Sequence, residues 1–416
     1  MTTEQDTSIW IDPALVERYV FELAAFGKYG DTGVWRIVYS PEWVEAAKCF
    51  TGWCEDAGLD VHSDAVGNIW AKLEGSEPGP SIVSGSHIDT QLPGGRYDGA
   101  LGAIAALIAV RALREQFGQP RRSLEALAFC EEESSRFPKA ALWASRAITG
   151  FIPADEPDQL IAYSGETMSE AMRQIGLDPA LIPTAKRDDI DTFIELHIEQ
   201  GPILEKEGYP VGIVNAITGP RTYYVTVTGE SNHAGAFPMD IRRDAMAGFA
   251  EIASGLLNVA NDMGRPAVTT IGRVAVKPGF SSAIPRTVEF TLDTRHPDPK
   301  QRQVLHGRQE ALMREIAERR GLTVEWEILS QKEPCLSDPA LVELIEDVAR
   351  KEGIHALTMA SGAAHDTQQM ALISKVAMIF VRSKDGRSHT PEEFSSIEDI
   401  VLGIRLLAGA LHRLAY

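Results

Sequence analysis

Four cysteines are all that the 416 residues provide, at positions 49, 54, 130 and 335. Cys49 and Cys54 stand five residues apart, which is not the CxxC spacing of a zinc or redox site. Scattered, reduced thiols in a cytoplasmic protein are therefore expected. No run of about 18 apolar residues occurs, so no membrane-spanning helix is expected. The opening Met-Thr-Thr-Glu-Gln-Asp-Thr-Ser holds neither a basic n-region nor an apolar h-region, and no signal peptide is expected. Positive charge is also scarce: 40 Lys and Arg face 59 Asp and Glu, a formal net charge of −19. That balance argues against nucleic-acid and anionic-membrane partners, both of which need basic patches. Internal repeats and low-complexity tracts are lacking as well.

What remains is an ordinary globular composition, 44% hydrophobic and 24% charged, in a chain long enough for two domains. Residues 13–28 and 41–57 have amphipathic helical spacing, and 61–73 reads as a hairpin. Residues 81–84 read as a buried strand, 100–113 as an apolar helix, and 123–130, 192–198 and 375–381 as further core strands. The pattern changes after about Gly212. Thr-Tyr-Tyr-Val-Thr-Val-Thr from Thr222 alternates as a half-exposed antiparallel strand does. A helix over 240–259, strands over 268–276 and 287–295, a helix over 300–320 and a strand over 323–328 follow. This β-α-β-β-α-β order is the ferredoxin-like arrangement. The expected organisation is an α/β catalytic domain made of 1–213 and 331–416, with an inserted α+β domain over 214–330.

Chemistry gathers where the apolar strands end. The stretch Gly85-Ser-His-Ile-Asp-Thr-Gln-Leu-Pro-Gly-Gly-Arg-Tyr-Asp98-Gly puts His87 and Asp89 at a strand end and Asp98 at the mouth of a helix. In open α/β sheets that edge binds ligands, and imidazole with carboxylate suits zinc or a similar divalent ion. A capped, solvated loop is the competing reading. Next, a strand runs straight into Glu131-Glu132-Glu133. Like charges in a row repel unless something positive sits among them. One glutamate as metal ligand and its neighbour as general base accounts for them, against a plain solvated strand exit. His197 ends a strand beside Glu195, Glu199 and Gln200, and His389 lies in a polar loop after residues 375–381. Asp98 would bridge two metals about 3.5–4 Å apart, as carboxylates do in paired-metal hydrolases. His62, His306, His355 and His412 have no partner motif and are expected to be structural or on the surface. Arg136 is expected to neutralise the glutamates, with a substrate contact as the alternative.

Five segments fall in the order of one enzyme group: Gly85-Ser-His-Ile-Asp-Thr, Gly94-Gly-Arg-Tyr-Asp-Gly, Glu132-Glu-Ser-Ser-Arg-Phe, Glu195-Leu-His-Ile-Glu-Gln-Gly-Pro and Ser388-His389. The chain resembles the N-carbamoyl-L-amino-acid amidohydrolases, with allantoate amidohydrolase and β-ureidopropionase as relatives, within the dinuclear-metal aminoacylase and exopeptidase superfamily. By position, the resemblance implies one metal held by His87, Asp98 and His197, and a second by Asp98, Glu133 and His389. Glu132 matches the general base, and Asp89 the carboxylate that orients His87. The inserted domain matches a lid and dimerisation domain. There His233 would act in trans on the partner subunit's site as a stabiliser of the oxyanion. Gln200, Asn232 and Arg295 match substrate-contacting positions, Arg295 as the clamp on a carboxylate. His365 matches a position supporting the metals or the substrate. The chain departs from the family at Ser282, where Asn is usual, at Arg286, where Gly is usual, and at Ala364. Ser282 near Arg295 bears on which substrate is admitted.

The expected activity is metal-dependent hydrolysis of a linear C–N bond, most simply an N-carbamoyl-L-amino acid giving amino acid, CO2 and ammonia. Allantoate or another amide or N-acyl substrate is the alternative within that class, and a metal-dependent exopeptidase the alternative outside it. The expected cofactor is two divalent ions per subunit, Zn, Mn, Co or Ni. A cytoplasmic homodimer is expected.

Overall fold

Apolar strands that end in polar residues are the organising element of the computed structural model, which describes residues 9–416. The opening eight residues, and with them the signal-peptide reading, lie outside the described part. In chain order the main elements of the first half are α1 (Pro13–Ala24), α2 (Pro41–Asp56), β1 (Asp60–Ser63), β2 (Ile69–Leu73), β3 (Ser81–His87), α3 (Ala100–Phe117), β4 (Leu124–Phe129), β5 (Ile190–Ile198) and β6 (Val211–Ile217). There follow β7 (Arg221–Thr228), α4 (Ala245–Met263), β8 (Val268–Lys277), β9 (Thr287–Arg295), α5 (Pro299–Arg319) and β10 (Thr323–Gln331). The chain closes with α6 (Pro339–Lys351), β11 (Lys375–Val381) and α7 (Ile397–Ala415). The fold is mixed α/β, and it divides into two compact units. Among the described residues one is built of 9–215, Ser337–Met359 and Ala363–Tyr416, the other of Ala216–Leu336 and Ala360–Gly362.

The larger unit is built on a sheet in which strands run in the order β6-β11-β5-β3-β4-β2-β1. Its centre, β11-β5-β3-β4, is parallel, and the flanking pairs are antiparallel. β3, β4 and β11 are buried along nearly their whole length, as parallel strands covered on both faces must be. Helix α3 is apolar on every side because it packs against β3, α1 and α7 together, leaving it no solvent face in its first turns. Helix α7 is capped by Ser396, which accepts from the Asp399 N–H, and carries Glu398 and Asp399 in its first turn and His412 and Arg413 in its last. That distribution suits the helix dipole at both ends. All four parallel strands release their chains at the same edge, where the candidate site lies.

The smaller unit is a four-stranded antiparallel sheet in the order β8-β9-β7-β10 with two helices. Alternate residues of β7 and β9, Tyr223, Val225, Val227, Val288, Phe290 and Leu292, pack against Phe249, Ile252 and Leu256 of α4 and Met313 and Ile316 of α5. Truncating a buried aromatic such as Phe290 to Ala costs about 3–5 kcal/mol. Helix α4 begins at Ala245 and not at 240, because the Asp244 side chain accepts the N–H groups of Met246 and Ala247 and so sets the start.

Candidate metal centre

His87 is the last residue of β3, His197 lies one residue from the end of β5, and Glu131 to Glu133 follow β4. Asp98 precedes α3, and His389 follows β11 by eight residues. These segments enclose a cavity of about 220 Å³ lined by His87, Asp98, Glu132, Glu133, His197 and His389. Gln200 and His365 line it too, with Ser134 and the small residues Ala141, Ala363 and Ala364.

Two sets of donors meet in it, and Asp98 belongs to both. The ligand atoms of His87, Asp98 and His197 lie within 4.8 Å of one another, as do those of Asp98, Glu133 and His389. In the first set, His87 Nδ1 lies 3.1 Å from the Asp89 carbonyl and 3.2 Å from Asp89 Oδ1, while His197 Nδ1 lies 2.9 Å from the Ile198 carbonyl. Both Nδ1 atoms therefore carry protons and donate outward. Each ring turns Nε2 toward Asp98 Oδ1, at 3.8 Å from His87 and 3.2 Å from His197. Asp98 Oδ1 is buried and no hydrogen bond reaches it. Lone pairs facing an unshared carboxylate oxygen call for positive charge between them. Burial opposes charge on the rings, yet Asp89 outweighs it at His87 and Asp98 at His197, holding both above the usual imidazole range. A proton or a divalent cation meets that demand.

Gly99 makes the arrangement possible. A Cβ there would stand 2.3 Å from the His87 imidazole, and its φ of +62° is one that side chains rarely adopt.

In the second set, His389 Nε2 lies 3.3 Å from Asp98 Oδ2 and 3.5 Å from Glu133 Oε1. The bond to Asp98 lifts His389 to about 9, against burial and with help from Glu133. Burial works against the charged form of Asp98, but the imidazoles of His197 and His389 outweigh it and hold the carboxyl well below its usual range. Burial, then the charge of Asp98, raises Glu133 to about 7. Glu132 is held well above the usual carboxylate range by burial and then by Glu133. Glu133 Oε1 has no hydrogen-bond partner. Crowded carboxylates, two orphaned acceptor oxygens and imidazoles presenting lone pairs fit a pair of divalent cations that share Asp98. A third group, Glu195 with His197 and His365, also lies within 4.8 Å. Glu195 is already engaged by Ser86 Oγ at 2.7 Å and Thr367 Oγ1 at 2.6 Å, so it acts as a support. His365 packs edge-on to His197, ring centroids 4.6 Å apart, and burial followed by His197 holds it well below the usual range.

Several supporting residues escaped the sequence reading. Gln91 donates to Glu133 Oε2 at 2.5 Å. The buried guanidinium of Arg36 donates from Nε to the Ile88 carbonyl at 2.7 Å and from Nη1 to the Leu23 carbonyl at 2.8 Å, bracing the backbone between His87 and Asp89. Gln200, expected from the sequence as a substrate contact, donates to Asp98 Oδ2 at 3.1 Å. Ser134 (φ 57°), Gln200 (φ 57°) and His389 (φ 56°) all take left-handed backbone, and all three line the cavity. Non-glycine residues in that region cluster at functional sites. Arg136 does not serve the glutamate run: its guanidinium bonds Glu166 at 2.8 and 3.1 Å and the Val38 carbonyl at 2.8 Å.

Asn232, His233, Ser282 and Arg295 belong to the smaller unit. His233 is exposed, and its Nδ1 accepts the backbone N–H groups of Gly235 and Ala236, both at 3.1 Å. The ring proton therefore sits on Nε2, which can donate. The segments of Asn232 and Ser282 run together, Ile284 N–H donating to the Asn232 carbonyl at 2.8 Å and Ala234 N–H to the Ser282 carbonyl at 2.9 Å. Arg286 closes the same region through Gly229, whose N–H donates to its carbonyl at 2.7 Å. Arg295 bonds Asp293 through Nε at 2.7 Å and Nη2 at 3.4 Å, and the Gly362 carbonyl through Nη1 at 2.8 Å.

The model of peptidase family M20/M25/M40 matches residues 83–413. Allantoate amidohydrolase of Escherichia coli K12 is 38% identical over 395 residues, 95% of this chain and 96% of that protein. N-carbamoyl-L-amino-acid amidohydrolase of Pseudomonas sp. NS671 is 37% identical over 395 residues, covering 94% and 95%. Among solved structures, an amidase of the hydantoinase/carbamoylase family from Burkholderia multivorans superposes with a TM-score of 0.90 at 31% identity, covering 98% of this chain and 99% of that one.

Proposed function

The chain belongs to peptidase family M20/M25/M40, and from that premise we propose that it removes the carbamoyl group of an N-carbamoyl-L-amino acid by hydrolysis, giving the amino acid, CO2 and ammonia. It is a metal-dependent hydrolase of linear C–N bonds other than peptide bonds. N-carbamoyl amino acids and allantoate share one chemical unit, a ureido nitrogen on the carbon that bears a carboxylate. The observation that carries the reading is Asp98, common to two His-containing donor sets in a cavity that Glu132 also lines.

His87, Asp98 and His197 would hold one ion and Asp98, Glu133 and His389 the other. When bound, two divalent ions of the Zn, Mn, Co or Ni kind supply Lewis acidity at the scissile carbonyl and acidify the attacking water. Glu132 takes a proton from that water on a carboxylate oxygen and delivers it to the leaving nitrogen. Asp89 keeps the Nδ1–H of His87 turned away from the ions. Arg295 spends three of its N–H groups on Asp293 and Gly362. Of the five such groups in a guanidinium, one on each Nη is left, a pair suited to a substrate carboxylate. Gln200, Asn232, Ser282 and His365 complete the substrate contacts, with Ser282 setting the room beside the carboxylate.

The division of labour is a catalytic domain from 1–213 and 331–416 and a lid and dimerisation domain over 214–330. His233 donates from Nε2 to the developing oxyanion in the partner subunit of a homodimer. Four unpaired cysteines support a reducing compartment, the cytoplasm. Among the described residues no helix is long and apolar enough to cross a membrane.

The test is ammonia release by the metal-reconstituted protein from N-carbamoyl-L-amino acids, N-carbamoyl-β-alanine, allantoate and simple primary amides, with Glu132→Gln as control. Turnover of carbamoyl amino acids above the rest is expected. Preference for allantoate would move the assignment to the other ureido acid, and release from plain amides alone would end the ureido reading. For the trans role, mixing His233→Ala with Glu132→Gln subunits should restore part of the activity. A mixture that exchanges subunits and stays inactive would rule it out.

A further inference from the structure

Glu393 lies in the segment that follows His389 and is only 3% exposed. Its Oε1 accepts two backbone N–H groups, from Tyr97 at 2.8 Å and from Asp98 at 2.9 Å. Its Oε2 stands 3.1 Å from the hydroxyl of Ser388, which in turn donates to Asp98 Oδ2 at 2.8 Å. One carboxylate thus joins the backbone of the shared ligand Asp98 to the residue just before the ligand His389, across 295 positions of sequence. The protein leaves room for it. A Cβ on Gly95 would lie 2.3 Å from Glu393 Oε1 and 2.5 Å from its Cδ, so the carboxylate rests against a glycine that nothing larger can replace without displacing it.

The two donor sets differ in how they are held. His87 and His197 of the first stand on the ends of adjacent parallel strands, β3 and β5, and both rings are buried. The second depends on His389, which is 49% exposed, sits on left-handed backbone (φ 56°) and comes from a loop. We propose that Glu393 is a positioning residue that locks the His389 loop to the Asp98 turn and so sets the affinity of the second ion. It is not itself among the donors that converge there. Its requirement is geometric: an acceptor at Oε1 for two N–H groups and a polar atom at the second position for Ser388. Glutamine meets both demands and alanine meets neither.

This inference rests on the two-ion reading above, and one titration separates them. Co2+ is titrated into the metal-free forms of the unaltered protein, Glu393→Gln, Glu393→Ala and Gly95→Ala, reading stoichiometry and stepwise affinity by calorimetry and the cobalt absorption bands. Thermal unfolding confirms that each variant is folded. The unaltered protein is expected to take two ions. Glu393→Ala should bind the first normally and the second at least about tenfold more weakly, in the range found for residues that orient metal ligands. Its turnover should fall at limiting Co2+ and recover as Co2+ is raised, which a general loss of fold would not allow. Glu393→Gln should stay close to the unaltered protein. Gly95→Ala, which displaces the carboxylate without removing it, should repeat the alanine result if Glu393→Ala does not fold. Two ions on the unaltered protein with unchanged second-site affinity in Glu393→Ala and Gly95→Ala would overturn the positioning role alone. So would a Glu393→Gln as weak as Glu393→Ala, since charge and not the tether would then matter. Fewer than two ions on the unaltered protein would overturn the two-ion reading and this inference with it.

Discussion

The backbone N–H of Glu132 donates to Asp89 Oδ1 at 3.0 Å, and the next N–H, of Glu133, donates to Asp89 Oδ2 at 3.2 Å. The carboxylate beside the His87 imidazole therefore also fixes the start of the glutamate run, tying the exits of two adjacent strands together. Asparagine at 89 keeps the shape but has a single acceptor oxygen, so one of these N–H groups would face an NH2. Asp89→Asn is expected to weaken metal binding and turnover by about ten- to a hundredfold. Chelator competition alongside steady-state rates checks it, and unchanged values would limit Asp89 to a passive place in the fold.

Adjacent glutamates should respond in opposite ways. Glu132→Gln removes a proton carrier, so turnover should fall by about 10²–10⁴ with the ion content intact. Glu133→Gln removes a ligand, so one ion should be lost. Elemental analysis of both variants beside ammonia release settles the roles, and loss of metal from Glu132→Gln would exchange them.

Stripping the ions leaves Glu131, Glu132, Glu133 and Asp98 crowded with only the imidazoles of His87, His197 and His389 as counter-charge, and the three glutamates are already pushed up chiefly by burial. The metal-free protein should melt at a lower temperature, and adding Mn2+ or Co2+ should restore it. Each site contributes about 2.7 kcal/mol when free ion reaches a hundred times its Kd. A melting temperature indifferent to EDTA and to added ion would speak against these residues as ligands.

His306, on α5, is buried beneath Tyr223, and neither ring nitrogen has a hydrogen-bond partner. Burial first, then the charges of Arg221 and Arg302, lowers it from 6.5 to about 4, with Glu333 opposing. An unfolded chain protonates this ring near 6.5 while the folded one resists until about 4, so the unfolded state binds more protons in that window. Stability at neutral pH is untouched; between 6.5 and 4 the folded state should lose up to roughly 3 kcal/mol. His306→Leu should flatten this part of the pH profile in denaturant melts. Parallel profiles for the two proteins would show that the ring does not titrate as described.

How much could be read from the chain follows from where its signals lie. A histidine or acid at the end of an apolar strand, at the mouth of an apolar helix or in the loop beyond stands out against its neighbours, so His87, Asp98, Glu132, Glu133, His197 and His389 were visible as candidates. The alternation of Thr222 to Thr228 likewise marks an antiparallel strand, and the burial of β7 follows it residue by residue. Supporting residues gave no such signal. Gln91, Arg36 and Glu393 are ordinary loop residue types, and what distinguishes them is a partner far away in sequence, 42 positions for Gln91 with Glu133 and 52 for Arg36 with Ile88. Arg136 misled for the converse reason. Its nearest acids in sequence are the glutamates, but folding brings Glu166, 30 positions away, against its guanidinium. The start of α4 was misplaced because Asp240 and Asp244 are equally plausible caps by type, and only Asp244 reaches the free N–H groups.

The wall of alanines at 141, 363 and 364 gives the cavity two sides of unlike adaptability. On the ionic side there is no room to spare, and even a methyl group at Gly99 would strike the His87 ring. On the alanine side a longer side chain would take up part of the space of about 220 Å³, and none of the three alanines is a donor. Variation at those three positions, natural or engineered, therefore changes the room in the cavity while the donor residues themselves stay the same.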